Sequence, residues 1–423
     1  MTTRRAGLAA VALGALLCAC ATSEDEPYRK KPGGYVDASP DTATGGSSAT
    51  GGSAGTGGSS ATGGSAGASD AAADGADDAA PDAAPDAGGP TAQLLLAVRT
   101  ASSIVRAART SGGSWATTVT AFTALGGPAL AAVGDDAVMV VRAAGQGELH
   151  ESRLAAGAWS ALTPVGTDGW TVGAPALAAA DDVVLAFIGT DFKHYLATTA
   201  ILGPWSAFEP VLAGSLHSFG PSAPSVAALS SSLELAFAGD DGDLYTQTKT
   251  SVWQAAHGHG LATPLHKPFG PRIVARGGGS DETVAAFVDD ATKRVYWTVG
   301  KGTTWTSPAL VDAFITSESP VALAALGGGA VGLAFVAGDS RVRYARLSAG
   351  VLSALESPFP NTVASGEPAL CQGLGPNEVE IAFLSSGSVV SSTRTTTWQT
   401  PLPVLGAGAL ALALTRVTVS SGP

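Results

Sequence analysis

The 423-residue sequence has 14% charged side chains and 55 glycines, too few charges to coat a helical bundle and enough turn formers for many short strands. Residues 1–91 hold 5 basic and 11 acidic groups and the remainder 18 and 24, so each part sits at −6. Neither part has the basic excess needed to neutralise phosphates, which excludes nucleic acid as a partner.

The chain opens with MTTRR, an apolar run from Ala6 to Leu17, and then LCAC. A basic start, a short apolar core and small residues before a cut read as a secretory signal over 1–19, and the run is too short to span a bilayer. Leu17, Cys18, Ala19 and Cys20 resemble the bacterial lipobox. That resemblance implies a diacylglycerol on Cys20, which follows small Ala19, whereas Cys18 follows bulky Leu17. It makes the membrane a partner through the lipid and places the protein at the outer membrane or periplasmic surface of a Gram-negative bacterium. After such a cut only Cys20 and Cys371 remain, so no internal disulfide is expected.

Residues 20–91 form a Gly/Ser/Ala/Asp-rich stretch, TGGSSATGGSAG followed by DAAADGADDAAPDAAPDA. It lacks the apolar content needed to offset ordering entropy and is expected to be a disordered tether.

From Ala92 to Pro423 the text repeats. Trp115, Trp159, Trp205, Trp253, Trp305 and Trp398 are separated by 44, 46, 48, 52 and 93 residues, and Leu352 stands where the last gap lacks its Trp. Ahead of each marker runs an aliphatic strand with Val98, Val141, Phe187, Phe237, Phe287, Phe335 or Phe383 near its end, and small-residue strands such as PALAAV and PSVAAL open most units. Four short strands per period, seven times, predict an all-β, seven-bladed β-propeller with four-stranded blades. The recurring Trp and Phe are core residues on this reading, with each Trp opening the fourth strand. The first unit lacks an opening strand, and GALALALTRV (408–417) supplies it from the other end, so the C-terminal strand closes the first blade and leaves no open edge. The chain is expected to act as a monomer.

These repeats resemble the fucose-binding seven-bladed lectins of bacteria and, more distantly, the six-bladed fungal fucose lectins. The carriers are the PALAA opening, the AF strand, the LY or VYW strand and the WS segment. The resemblance implies sugars held between blades by an Arg, a Glu and an aromatic face, groups suited to paired hydroxyls and to an apolar C–H face. Carried over, it selects Arg142, Glu151 and Trp159 in the second unit, with Ala197, Gln247, Thr298, Ala345 and Ser391 near the Glu151 place elsewhere. Glu151 is expected at the surface, so that Glu151→Gln should leave stability almost unchanged. Trp170 and Trp297 lie outside the Trp register and are further candidates for ligand contact.

No catalytic set is legible. The Asp-box that resembles SxDxGxTW is absent ahead of every Trp, no HExxH or CxxC is present, and GxSxG occurs only as GGSAG (51–55 and 63–67) within the low-complexity stretch and nowhere in the repeats. His257, His259 and His266 in HGHGLATPLH read as loop histidines, Asp240, Asp241 and Asp243 in GDDGDLY as a turn, and Cys371 as a small buried hydrophobe. No metal or cofactor is expected. The sequence therefore reads as a non-catalytic recognition module for a glycan or a protein. The alternative is a divergent glycan-processing enzyme on a sialidase-like propeller. Arginines and carboxylates converging on the axis would favour the enzyme; aromatic-lined pockets between blades would favour the lectin.

Overall fold

A computed structural model describes residues 91–211, 222–266, 268–277 and 280–419. The signal, the lipobox with Cys20 and most of the tether lie outside the described residues. No helix among those described is long and apolar enough to cross a membrane.

Seven antiparallel sheets form a ring of blades, each starting from an inner strand. In blade 1 the order from the axis outward is Ala409–Val419, Thr91–Thr100, Ser103–Thr110 and Ala116–Ala121. The C-terminal strand therefore does close the first blade, in register from Thr91 opposite Val419 to Thr100 opposite Ala409. Blades 2 to 7 begin at Ala124, Ala176, Ser225, Arg272, Ala322 and Ser365.

Second strands such as Val183–Ile188, Leu233–Ala238 and Ala330–Val336 carry runs buried on both faces, except that Leu233 is only half-buried. A strand flanked by neighbouring blades has no solvent face, so its hydrophobicity does not alternate. Across to the third strand, Phe187 pairs with Tyr195, Phe237 with Tyr245 and Phe287 with Tyr296, ring over ring at 5.6, 5.6 and 5.7 Å. Such cross-strand aromatic pairs hold the register of a blade.

In blades 3, 4 and 6 the turns between second and third strands share one mechanism. Asp191, Asp241 and Asp339 each accept the backbone N–H two residues on, at 3.1, 2.9 and 3.3 Å. The residue between sits at positive φ, and Phe192 (64°) and Ser340 (58°) hold there the conformation that Gly242 (81°) adopts without strain. Asp243 accepts from the N–H groups of Leu244, Gly260 and Leu261. GDDGDLY is thus a turn whose Asp241 and Asp243 are consumed by backbone donors and by the Tyr245 hydroxyl.

Two expectations need correction. Trp opens a fourth strand only in blades 2 and 5 (Ala158–Trp159, Thr304–Trp305). In blades 4 and 7, Trp253 and Trp398 make single bridges to the third strand, and the regular outer strand begins later, at His257 and Leu402. Closure also seals the ring without removing every edge, since the outermost strand of each blade still has a neighbour on one side only.

His194 occupies the third-strand position held elsewhere by Ile104, Leu149, Leu244, Val295, Val342 and Val389, all nearly inaccessible. Its ring lies 4.4 Å from that of Phe237. Among the described residues neither ring nitrogen finds a hydrogen-bond partner. Burial pushes its pKa down to about 3. The unfolded chain then takes up a proton that the folded chain refuses, so stability falls as pH drops below about 6.5. By pH 5 the loss amounts to roughly 2 kcal/mol. His194→Leu should therefore be more stable than the parent, with an advantage that widens by about that amount between pH 8 and pH 5 in urea titrations; a constant advantage would show that His194 does not titrate on unfolding.

Candidate functional site

The clefts between blades follow from one rule of strand alternation. Residues opposite one another in adjacent strands share a face, and faces alternate along each strand. On every third strand the residue after the Tyr195-type position faces the following blade. These residues are Arg106, Glu151, Leu196, Thr246, Trp297, Tyr344 and Ser391. Each meets the marker of the next unit, directly or through a bridging residue.

The Arg106 guanidinium lies 5.4 Å from the Trp159 ring centre, Trp205 Nε1 donates to Glu151 at 2.9 Å, and Trp115 Nε1 donates to Ser391 at 2.8 Å. Tyr344 meets Trp398 edge to face at 5.1 Å, and Leu196 shares a core cluster with Trp253. Thr246 hydrogen-bonds His259, whose ring abuts Trp305 at 5.1 Å; burial holds His259 down at a pKa of about 4. In the remaining seam Trp297 packs with Leu352. The unit that lost its Trp receives an indole from the opposite wall, which explains why Leu352 is tolerated.

Cations and carboxylates decorate these seams. Arg153 lies 5.8 Å from the Trp205 ring centre and donates to Glu151 at 2.9 Å. Lys249 lies over Trp253 and pairs with Glu209 of the preceding blade. Arg394 grips Glu356 through two bonds of 3.1 and 2.8 Å, and Trp398 donates to that same carboxylate at 2.8 Å. Arg109 lies 5.1 Å from the Trp115 ring centre and donates to Glu380 at 2.8 Å and to Thr393 at 3.0 Å. An indole, a cation and a carboxylate thus converge at four seams; the cation comes from a third strand in every case, at one register position for Arg109, Lys249 and Arg394, while the source of the carboxylate varies.

The seam between blades 7 and 1 opens into a cleft of about 330 Å³ lined by Arg109, Ser392, Thr393, Gln399, Thr400 and Leu402. Beneath it Glu380 is fully buried; one oxygen accepts from Arg109 and Thr393, and the other has no hydrogen-bond partner among the described residues. Burial raises its pKa, and Glu234, its counterpart in blade 4, is pushed up to about 7 by the same cause.

The residues selected from sequence fall in different places. Arg142 and Glu151 share the face of blade 2 that looks toward blade 3, but Arg142 donates to the Val172 carbonyl at 2.8 Å while Glu151 binds Arg153 and Trp205. Trp159 pairs across from Leu154, three residues from Glu151, and therefore lies on the opposite face, toward blade 1. Glu151 and Trp159 cannot line one pocket; the indole beside Glu151 belongs to the next unit. Four of the five positions first aligned with Glu151 were one residue late, and only Ser391 stands. Trp170 is half-buried and bridges to Glu148, and Trp297 is packed in a seam.

His257 and His259 lie ring to ring at 5.0 Å, whereas His266 bonds Asp290 and Lys293, so the three do not assemble. Cys371 is buried, and burial raises its thiol pKa well above normal. Arg272, at the start of the blade 5 inner strand, makes bonds of 2.8 and 2.9 Å to Glu367 of blade 7. Since those blades are not neighbours, this pair spans the mouth of the axial tunnel.

No protein-family profile matches the chain, and no curated protein matches it. Among solved structures, BP39L lectin from Burkholderia pseudomallei superposes with a TM-score of 0.63 at 16% identity, over 74% of this chain and 95% of that one. AofleA from Arthrobotrys oligospora gives 0.50 at 12%, over 74% and 96%. The likeness is one of fold.

Glu151 is not the surface residue expected from sequence, for its side chain is only 13% exposed and holds both Arg153 and the Trp205 indole. Replacing a charge-assisted acceptor at such a site costs about 1–3 kcal/mol. Glu151→Gln should therefore lower the unfolding free energy by that amount in urea; an unchanged midpoint would mean the seam does not depend on this carboxylate.

Proposed function

We propose that this chain is a carbohydrate-binding propeller without catalytic activity, carried at a membrane surface by a lipid on Cys20. The observation that carries the binding role is the open cleft between blades 7 and 1. It offers the exposed side chains of Gln399 and Thr400 over the Arg109 guanidinium, which is held by Glu380 and Thr393, with Leu402 on its wall and the Trp115 indole adjoining; Ser392 is buried and gives its hydroxyl to the Gln399 carbonyl. Small saccharides are recognised by this combination of convergent polar groups and an apolar platform. The lectin superposition agrees with the reading at the level of fold. The enzyme alternative finds less support, because Arg272 at the tunnel mouth is bound bidentately by Glu367 and so is not free to hold a substrate anion.

The anchoring half rests on the Leu17–Cys20 text alone. Cys20→Ser should abolish palmitate labelling while Cys18→Ser retains it; label that survives the loss of Cys20 rejects the assignment.

For the binding half, a glycan array probed with the full chain should return at least one retained saccharide. Gln399 and Thr400 are exposed, so replacing both with Ala should leave the melting temperature nearly unchanged. The same double variant should weaken binding about tenfold, corresponding to ~1.4 kcal/mol. A parent that retains no glycan overturns the function; full binding by the double variant moves the site away from this cleft.

A further inference from the structure

The outermost strand of blade 1, Ala116–Ala121, differs from its counterparts. In blades 2 to 6 the first paired outer segments are two residues long, and in blade 7 Leu402–Leu405 contains Pro403. Short edges and prolines are ways of blunting a sheet edge against further pairing. Ala116–Ala121 reads ATTVTA, six residues with no charge and no proline, of which all but Thr120 are exposed. Among the described residues it pairs only with Ser103–Thr110, along its whole length.

The direction of its free backbone groups can be fixed. Phe122 donates its N–H to Ser102, 3.2 Å away. In an antiparallel pair the bonding residues alternate, so even-numbered positions point inward and Thr117, Val119 and Ala121 turn N–H and C=O to solvent. Val119, 63% exposed, is one of the larger apolar side chains left open to solvent.

We infer that this edge is a homodimer interface, where a second copy of the chain adds the same strand antiparallel about a two-fold axis at Val119. That register places Val119 opposite Val119, and Thr117 opposite Ala121 in both directions. It uses every outward backbone group of the strand. Because the strand is uncharged, self-pairing sets no like charges against each other, and Thr and Val are residues that gain from cross-strand pairing. The same patch serves on both subunits, so the assembly closes as a dimer. The inference replaces the monomer expected from sequence and does not rest on carbohydrate binding.

Sedimentation velocity of the full chain across micromolar concentrations should show a concentration-dependent dimer. Val119→Lys and Val119→Glu should each be monomeric, because the two-fold sets like charges opposite one another, and an equal mixture should recover the dimer as a Lys–Glu heteropair. Melting curves matching the parent would show that each variant folds. A parent that stays monomeric overturns the inference, as it would if the edge instead receives a segment of another protein. Dimerisation of the single variants, or a mixture that stays monomeric, overturns it as well.

Discussion

Closure of the ring by the Ala409–Val419 strand is the constraint on which the other contacts depend. Each blade buries its two faces only against neighbours, so an open ring would expose the walls of blades 1 and 7 together. Those walls hold Leu94, Leu96 and Val98 on one side and Ala369, Cys371 and Leu384 on the other, in a single cluster with Leu412 and Leu414 of the closing strand. The same closure brings Arg109 onto the buried Glu380, a pair whose members are 271 residues apart. A carboxyl group buried in that position without a partner would be costly, and the closed ring is what supplies Arg109 to it.

Around the ring, the seams solve one packing problem with different chemistry. A single indole fits each seam, offered by the following blade in six cases and by the third strand, as Trp297, in the seventh. Glu151 and Ser391 take the indole N–H of the facing Trp directly, whereas Trp305 donates to the Gly302 carbonyl and Trp398 to Glu356. Where the facing residue is Leu196, the Trp253 nitrogen is left without a hydrogen-bond partner among the described residues. Cations from the third strands, Arg106, Arg109, Arg153 and Lys249, lie against the rings and add attraction. Weak sequence repetition therefore coexists with regular architecture.

Much of this was legible in the sequence. The Trp and Phe markers set blade number and phase, and the missing first strand foretold that GALALALTRV would close blade 1. The composition of the seams was harder to read, because a blade contributes to two of them and a shift of one residue sends a side chain from one to the other. Glu151 and Trp159 look like neighbours in a line of text, yet an odd spacing along the strand separates them. A usable signal was present in Glu151 and Arg153, two residues apart and hence on one face. The pairing of Arg109 with Glu380 had no local signal, since only the closed ring joins them.

The closing strand has a further geometric consequence. Thr91 lies directly opposite Val419, so the strand that starts the ring and the strand that completes it have their outer ends together on one rim. Tension applied between those two ends would load the backbone bonds at Thr91 and Val419 first and peel the pair apart in sequence, a low-force mode. Tension from the Thr91 end alone, resisted by a ligand held elsewhere on the ring, would leave that pair unopposed. The propeller is thus mechanically weak to a pull between its own ends and far better placed to bear a load from only one of them.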